Sequence, residues 1–266
     1  MRLYDAHNHL QDDRFGGRHA ELIVAAEAEG IARMVVNGAC EEDWAQVQEL
    51  AQKHVIVQPS FGYHPWYLHE RTERWQSELV RFLDETPHAA VGEIGLDKWK
   101  PDLPYEGQEE VFVWQLRLAA ERNLAASIHC LQSWGPIFQL LRKEPRPERG
   151  FLLHSYGGPA EMIRPLAKIG AYFSFPGYYL LDRKERQRET FKQVPLERLL
   201  VETDAPDQSL PEELNRHPLS DASTSKVINH PANLRAVYDG LAKVRGMAVE
   251  DLSEQVEENF KRLFGA

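Results

Sequence analysis

The sequence predicts an α/β protein, a closed (β/α)8 barrel occupying residues 1–266 as one domain. Three observations carry that expectation. Short apolar runs alternate with amphipathic stretches at helical spacing, an order that produces parallel strands. Eight such runs fit into 266 residues, a common size for an α/β barrel. No Gly-x-Gly-x-x-Gly follows any run, so the runner-up, a doubly wound open sheet, lacks its dinucleotide-binding version.

The first strand is read at residues 3–9, where alternation puts His7 and His9 on one face. After a polar loop at 11–17, residues 19–29 form a helix with Leu22, Ile23 and Ala26 on one side and Gly30 as its stop. Strand 33–38 precedes helix 41–53, in which Trp44, Val47 and Leu50 recur at helical spacing. Strand 55–60 runs into Phe61-Gly62-Tyr63-His64-Pro65, and helix 75–83 presents Leu79, Phe82 and Leu83. The alternation continues with strands at 89–96, 125–129, 151–154, 171–175 and 199–202. Helices are expected between them at 109–123, 137–143, 160–169 and 185–193. Residues 208–229 form the longest irregular stretch, placed after the eighth strand where barrel enzymes often carry a substrate loop. Helices at 233–245 and 249–264 close the chain.

Hydrophobic residues make up 42% and charged residues 27%, ordinary for a globular protein with a large core. No apolar run is long enough for a membrane span, and the first residues lack the basic and then apolar segments of a signal peptide. Cys40 and Cys130 form no CxxC pair and are expected as reduced thiols, so the expected location is cytoplasmic. A net charge of −10 argues against a broad basic surface for duplex DNA. It leaves room for a local cation site that accepts a phosphodiester. No membrane contact and no obligate protein partner are inferred.

Residues able to bind metal fall at strand ends. His7 and His9 end the first strand, Glu93 the fourth, His129 the fifth, His154 the sixth and Asp204 the eighth. In a (β/α)8 barrel those ends share one face, so six residues distant in sequence converge. Four imidazoles and two carboxylates suffice for two divalent ions. Glu93 is the natural bridge, with His7, His9 and Asp204 on one ion and His129 and His154 on the other. Asp204 is also placed to accept the proton of an attacking water. Gly-x-Ser-x-Gly is absent, so a serine nucleophile elbow is not expected.

Asp5-Ala6-His7-Asn8-His9-Leu10, Gly62-Tyr63-His64-Pro65, Gly92-Glu93-Ile94-Gly95-Leu96-Asp97, Ile128-His129, Leu153-His154-Ser155 and Glu202-Thr203-Asp204-Ala205-Pro206 occur in this order, followed by Asn259-Phe260-Lys261-Arg262-Leu263-Phe264. Together they resemble the TatD-type metal-dependent hydrolases of the amidohydrolase superfamily, over nearly the whole chain. The resemblance implies a distorted TIM barrel, a divalent-metal site and deoxyribonuclease activity. It also implies that His7, His9, Glu93, His129, His154 and Asp204 are the ligands and that His64 lies near the substrate.

Two departures stand out. Leu131 occupies a position where the family usually carries a basic residue. Ile228-Asn229-His230-Pro231 stands where the family usually has Arg-Asn-Glu-Pro, keeping only Asn229 and Pro231. Candidate substrate contacts are therefore His64, Lys98 and Asn229, with Trp99, Trp134 and Tyr178 as aromatics able to stack a base. Arg183, Lys184, Arg186 and Arg188 read as a solvated helix face. The expected function is phosphodiester hydrolysis on single strands or 3′ ends of DNA by a metal-activated water. The alternative, favoured by the changes at Leu131 and His230, whose positions look substrate-facing in the family, is a small-molecule amide, ester or lactone hydrolase using the same site. Zinc, manganese or iron suits the histidine-rich set, and the resemblance adds magnesium.

Overall fold

The computed structural model describes residues 1–265. Eight strands form one parallel sheet in sequence order: β1 (Leu3–Asn8), β2 (Ile31–Asn37), β3 (Val57–Phe61), β4 (Ala90–Asp97), β5 (Ala126–Leu131), β6 (Phe151–Leu153), β7 (Ala171–Pro176) and β8 (Leu199–Glu202). Helices α1 (His19–Ala28), α2 (Glu41–Lys53), α3 (Trp75–Glu85), α4 (Gln108–Arg122), α5 (Trp134–Lys143), α6 (Ile163–Lys168) and α7 (Glu185–Phe191) connect them. Helices α8 (Leu234–Arg245) and α9 (Val249–Phe264) follow β8. The (β/α)8 expectation is met.

The sheet closes between β8 and β1 largely through a buried carboxylate. Asp5 accepts the Thr203 N–H at 3.0 Å and the Thr203 hydroxyl at 2.5 Å. Beyond it, the Asp204 N–H donates to His7 O at 3.0 Å and the His9 N–H to Ala205 O at 2.8 Å. Burial raises the Asp5 carboxyl to about 7, against the pull of these donors. The seam thus delivers Asp204 beside His7 and His9.

Helix α9 covers this seam from outside. Leu252, Val256, Phe260 and Leu263 recur every three or four residues and are fully buried. Each contributes roughly 1.5–3 kcal/mol of transfer free energy. Phe260 packs on Tyr4 at 4.9 Å, and the Asn259 amide donates to Leu196 O and Leu199 O, both at 2.8 Å, fixing the start of β8.

Glycine is required where β4 meets its neighbours. A Cβ on Gly95 would lie 2.0 Å from His129 O, and one on Gly92 would lie 2.7 Å from Ser127 Cβ. Small residues on both sides of Glu93 let β4 approach β3 and β5 closely.

Helix 160–169 is shorter than expected. Residues Ala160–Met162 form a 3-10 turn and the α-helix begins at Ile163. An α-helix from 160 would require an N–H from Pro165 to Glu161 O, which proline lacks; starting at Ile163 puts Pro165 in the first turn, where no such bond is made. Residues 208–229 are not wholly irregular: Leu219–Ser220 (β9) and Val227–Ile228 (β10) pair as a two-stranded antiparallel ribbon. Both cysteines are free and buried. No helix among the described residues is long and apolar enough to cross a membrane.

Candidate metal centre

All six expected ligands meet at the C-terminal mouth of the barrel. Glu93 lies at the centre. Its Oε2 is 3.2 Å from His9 Nε2 and 3.5 Å from His7 Nε2. Its Oε1 is 2.8 Å from His154 Nε2 and 3.1 Å from His129 Nδ1. Asp204 Oδ1 lies 3.7 Å from both His7 Nε2 and His9 Nε2. His7, His9, Asp204; His7, Glu93, His154; and His64, Glu93, His129 form three overlapping groups able to hold a cation.

The outer nitrogens decide what the inner ones present. His9 Nδ1 lies 2.8 Å from Asn37 O, a pure acceptor, so Nδ1 carries the hydrogen of the neutral ring and Nε2 turns a lone pair inward. His129 Nε2 lies 2.9 Å from Asp97 Oδ2, which leaves Nδ1 as the inward lone pair. His7 Nδ1 meets Ser127 Oγ at 2.8 Å. The inward nitrogens crowd around the carboxylate: His7 Nε2 and His9 Nε2 are 3.3 Å apart, and His154 Nε2 and His129 Nδ1 are 3.4 Å apart. Without metal a proton on His9 bonds to Glu93; once the inward nitrogens are deprotonated they need a cation between them, so the donor set fits divalent metal, which would displace that proton.

His64 differs. Its Nδ1 accepts the Trp66 N–H at 3.2 Å, which puts the hydrogen of the neutral ring on Nε2, 3.4 Å from Glu93 Oε1. Ligation through Nε2 would need the opposite tautomer and would set two N–H groups against each other. His64 therefore faces the cluster as a donor. Burial lowers its pKa to about 4 against the pull of Glu93.

Burial opposes charge on every member of the cluster, and the neighbours decide the outcome. For His9, hydrogen bonding and attraction to Glu93, then to Asp204, override burial and raise the pKa to about 9. His7, buried and beside His154, is lowered to about 3. Burial penalises the Glu93 carboxylate, yet His64, His154 and His7 hold it well below the ordinary range. Burial raises Asp204 to about 7.

Several supporting groups were not singled out as candidates in the sequence. Asp97 accepts from Trp66 Nε1 at 2.7 Å as well as from His129; these bonds hold it at about 2 despite burial. Glu202 accepts the Ser155 N–H at 2.7 Å and the Ser155 and Ser174 hydroxyls, with His154 Nδ1 at 3.8 Å. The Gln208 amide donates to Asp204 Oδ2 and Ser155 Oγ. The sequence signal for Asp97 and Glu202 is the one that also marks Glu93 and Asp204, a carboxylate at a strand end.

The expected substrate contacts fare unevenly. Asn229 is fully enclosed; its amide donates to Thr203 O at 2.8 Å and its oxygen accepts from Asn233 at 3.3 Å, so it secures the loop after β8. His230 was expected on the substrate side, but its Nδ1 accepts the Ala232 N–H at 2.9 Å and its ring packs 5.2 Å from that of His217. Lys98 is exposed, with its ammonium 3.9 Å from the Tyr105 ring centroid. Trp134 packs on Tyr156 at 4.6 Å, and Tyr178 is covered by Lys184 at 4.4 Å.

A parallel barrel whose mouth gathers four imidazoles around a buried carboxylate has the make-up of a metal-dependent hydrolase. The TatD related DNase family matches residues 4–265, and the chain belongs to that family. It is 30% identical over 268 residues to the 3'-5' ssDNA/RNA exonuclease TatD of Citrobacter koseri, covering 99% of each chain. It is 29% identical over 262 residues to the metal-dependent hydrolase YabD of Bacillus subtilis, covering 98% of each. The crystal structure of YJJV, a TatD homolog from Escherichia coli K12, superposes with a TM-score of 0.89 at 25% identity, covering 100% of this chain and 98% of that one.

Proposed function

We propose that this protein is a divalent-metal-dependent exonuclease that hydrolyses phosphodiester bonds at the 3′ end of single-stranded nucleic acid. One observation carries the metal part of the reading: Glu93 turns Oε2 toward His7 and His9 and Oε1 toward His129 and His154. It divides the donors into two sets, one completed by Asp204. Two ions, zinc, manganese or magnesium, would be held by these sets with Glu93 between them. Bound there, divalent metal supplies activation of water and neutralisation of phosphoryl charge. Asp204, raised to about 7 by burial and held by Gln208, accepts the proton of the attacking water. The His64 Nε2–H donates to the substrate side of the cluster. Similarity to the exonuclease TatD over the whole chain supports the substrate class.

The amide, ester or lactone alternative is not favoured. His230, one of the two residues that motivated it, is engaged with Ala232 and His217. The test is a metal-stripped preparation reloaded with manganese, magnesium or zinc and offered a 5′-labelled single-stranded oligonucleotide beside ester, lactone and amide reporters. A ladder shortening from the 3′ end, lost with chelator, is the expected result. Turnover confined to the carboxyl reporters would overturn the reading.

A further inference from the structure

We propose that Trp99 is a stacking platform for an unpaired base of the substrate strand. The proposal rests on the nuclease reading above and adds how the strand is gripped. Of the six tryptophans, Trp99 alone is exposed, at 56%; the other five are buried or half-buried. An exposed indole presents a flat face on which a base can stack.

Its position ties it to the metal centre. The Trp99 N–H donates to Asp97 Oδ1 at 2.6 Å, and the other oxygen of the same carboxylate meets His129. The root of the indole is therefore one carboxylate away from a ligand. The flanking lysines fold back: Lys98 lies over the Tyr105 ring at 3.9 Å and Lys100 over the Trp66 ring at 4.7 Å. Trp66 is itself fixed to Asp97. Leu131, also exposed, stands opposite Asp97 in the β4–β5 register, and the Lys98 N–H donates to its carbonyl at 3.0 Å.

The rim thus offers an aromatic face, an adjoining aliphatic side chain and two cations in a chain of net charge −10. That combination suits a base with its phosphate. Position decides the occupant: the indole is joined through Asp97 to a member of the metal centre, so a strand bound for cleavage there meets this rim. A duplex buries both faces of its bases, so the platform selects unpaired strands.

The test compares wild type with Trp99→Ala and Trp99→Phe in the metal-loaded enzyme, on a single-stranded oligonucleotide and on methyl p-nitrophenyl phosphate. Trp99→Ala should raise KM for the oligonucleotide by roughly 5- to 100-fold with kcat kept, and Trp99→Phe should restore most of it. The small diester should be cleaved equally by all three, and the slope of log KM against log salt should not change, because no charge is removed. Unchanged oligonucleotide KM in Trp99→Ala overturns the platform while leaving the nuclease reading intact. Equal loss on both substrates marks a structural role and also overturns it. A change of oligomeric state with oligonucleotide KM kept assigns the indole to a second copy. Failure of wild type itself to cleave the oligonucleotide while cleaving the diester ends the nucleic-acid reading instead.

Discussion

At the base of the barrel, Val55, Val57, Pro59 and Pro87 line an apolar cavity of about 480 Å³, and Gln58 bridges His88 O and Phe264 O at 3.2 and 3.0 Å. At the mouth, the hollow beside Asp204 is smaller, about 310 Å³, and is lined by Arg14, Gln208, Asp221 and Lys226. At the base, the Gln58 amide donates its hydrogens to two backbone carbonyls. The mouth holds buried carboxylates and imidazoles whose inward atoms oppose one another. Gln132, Ser155, Asp204 and Gln208 also adopt left-handed backbone there, a conformation that costs free energy outside glycine. Volume alone would point to the wrong end; the chemistry of the lining points to the right one. The same division runs through barrel enzymes generally, with stability at the base and reaction at the mouth.

The largest break in this contrast should come from Glu93→Gln. It replaces one of the two carboxylate oxygens with an NH2 and removes the charge, so one donor set loses its oxygen; metal content should fall and activity should drop at least about 100-fold, the scale of losing one preorganised group in a dry site. Elemental analysis beside turnover checks this; a fully loaded variant would refute the central place of Glu93. Asp97→Asn should act less severely. It loosens the orientation of His129 and should weaken manganese binding by roughly 10- to 100-fold, measured by calorimetry, with wild-type affinity the contrary result. Val57→Ala at the base should do the reverse. Stability should fall by about 1–3 kcal/mol in denaturant titration, with kcat/KM within about two-fold. A matching loss of activity would show that the two ends are not separable.

The smallest effect concerns His230, outside the metal cluster. Burial, then repulsion from His217 and Arg18, lowers it from the ordinary 6.5 to about 4. Between those values the unfolded chain binds a proton that the folded chain refuses, so this group's contribution is present above about 6.5 and is lost as pH falls toward 4. His230→Gln should flatten the acid limb of the stability profile between those values; an identical profile would assign that limb to other groups.

Much of this was legible in the sequence, for identifiable reasons. Eight apolar runs marked the strands, and chemistry-bearing residues at their ends had to share a face once parallel order was inferred. His7 and His9 followed from strand alternation alone. Asp97 and Glu202 escaped because their partners, His129 and Ser174, are 32 and 28 residues away, and only the folded sheet brings them together. The β9–β10 ribbon escaped because two-residue strands carry no periodicity. That His230 caps a turn was not read because a turn-capping histidine and a substrate-facing one look alike in sequence. His64 and Trp99 were named on the substrate side from the sequence, but the tautomer of the one and the exposure of the other are properties that no spacing encodes.

The central claim is that the mouth is built to hold divalent cations. Thermal unfolding of metal-stripped protein with and without manganese tests it most directly, because a ligand that binds only the folded state must stabilise it. At about 100 times Kd the stabilisation is about 2.7 kcal/mol, or roughly 5 °C for a chain of this size. The account predicts that rise in wild type and a much smaller one in Glu93→Gln. An unchanged Tm in wild type, or an equal rise in both proteins, would contradict it.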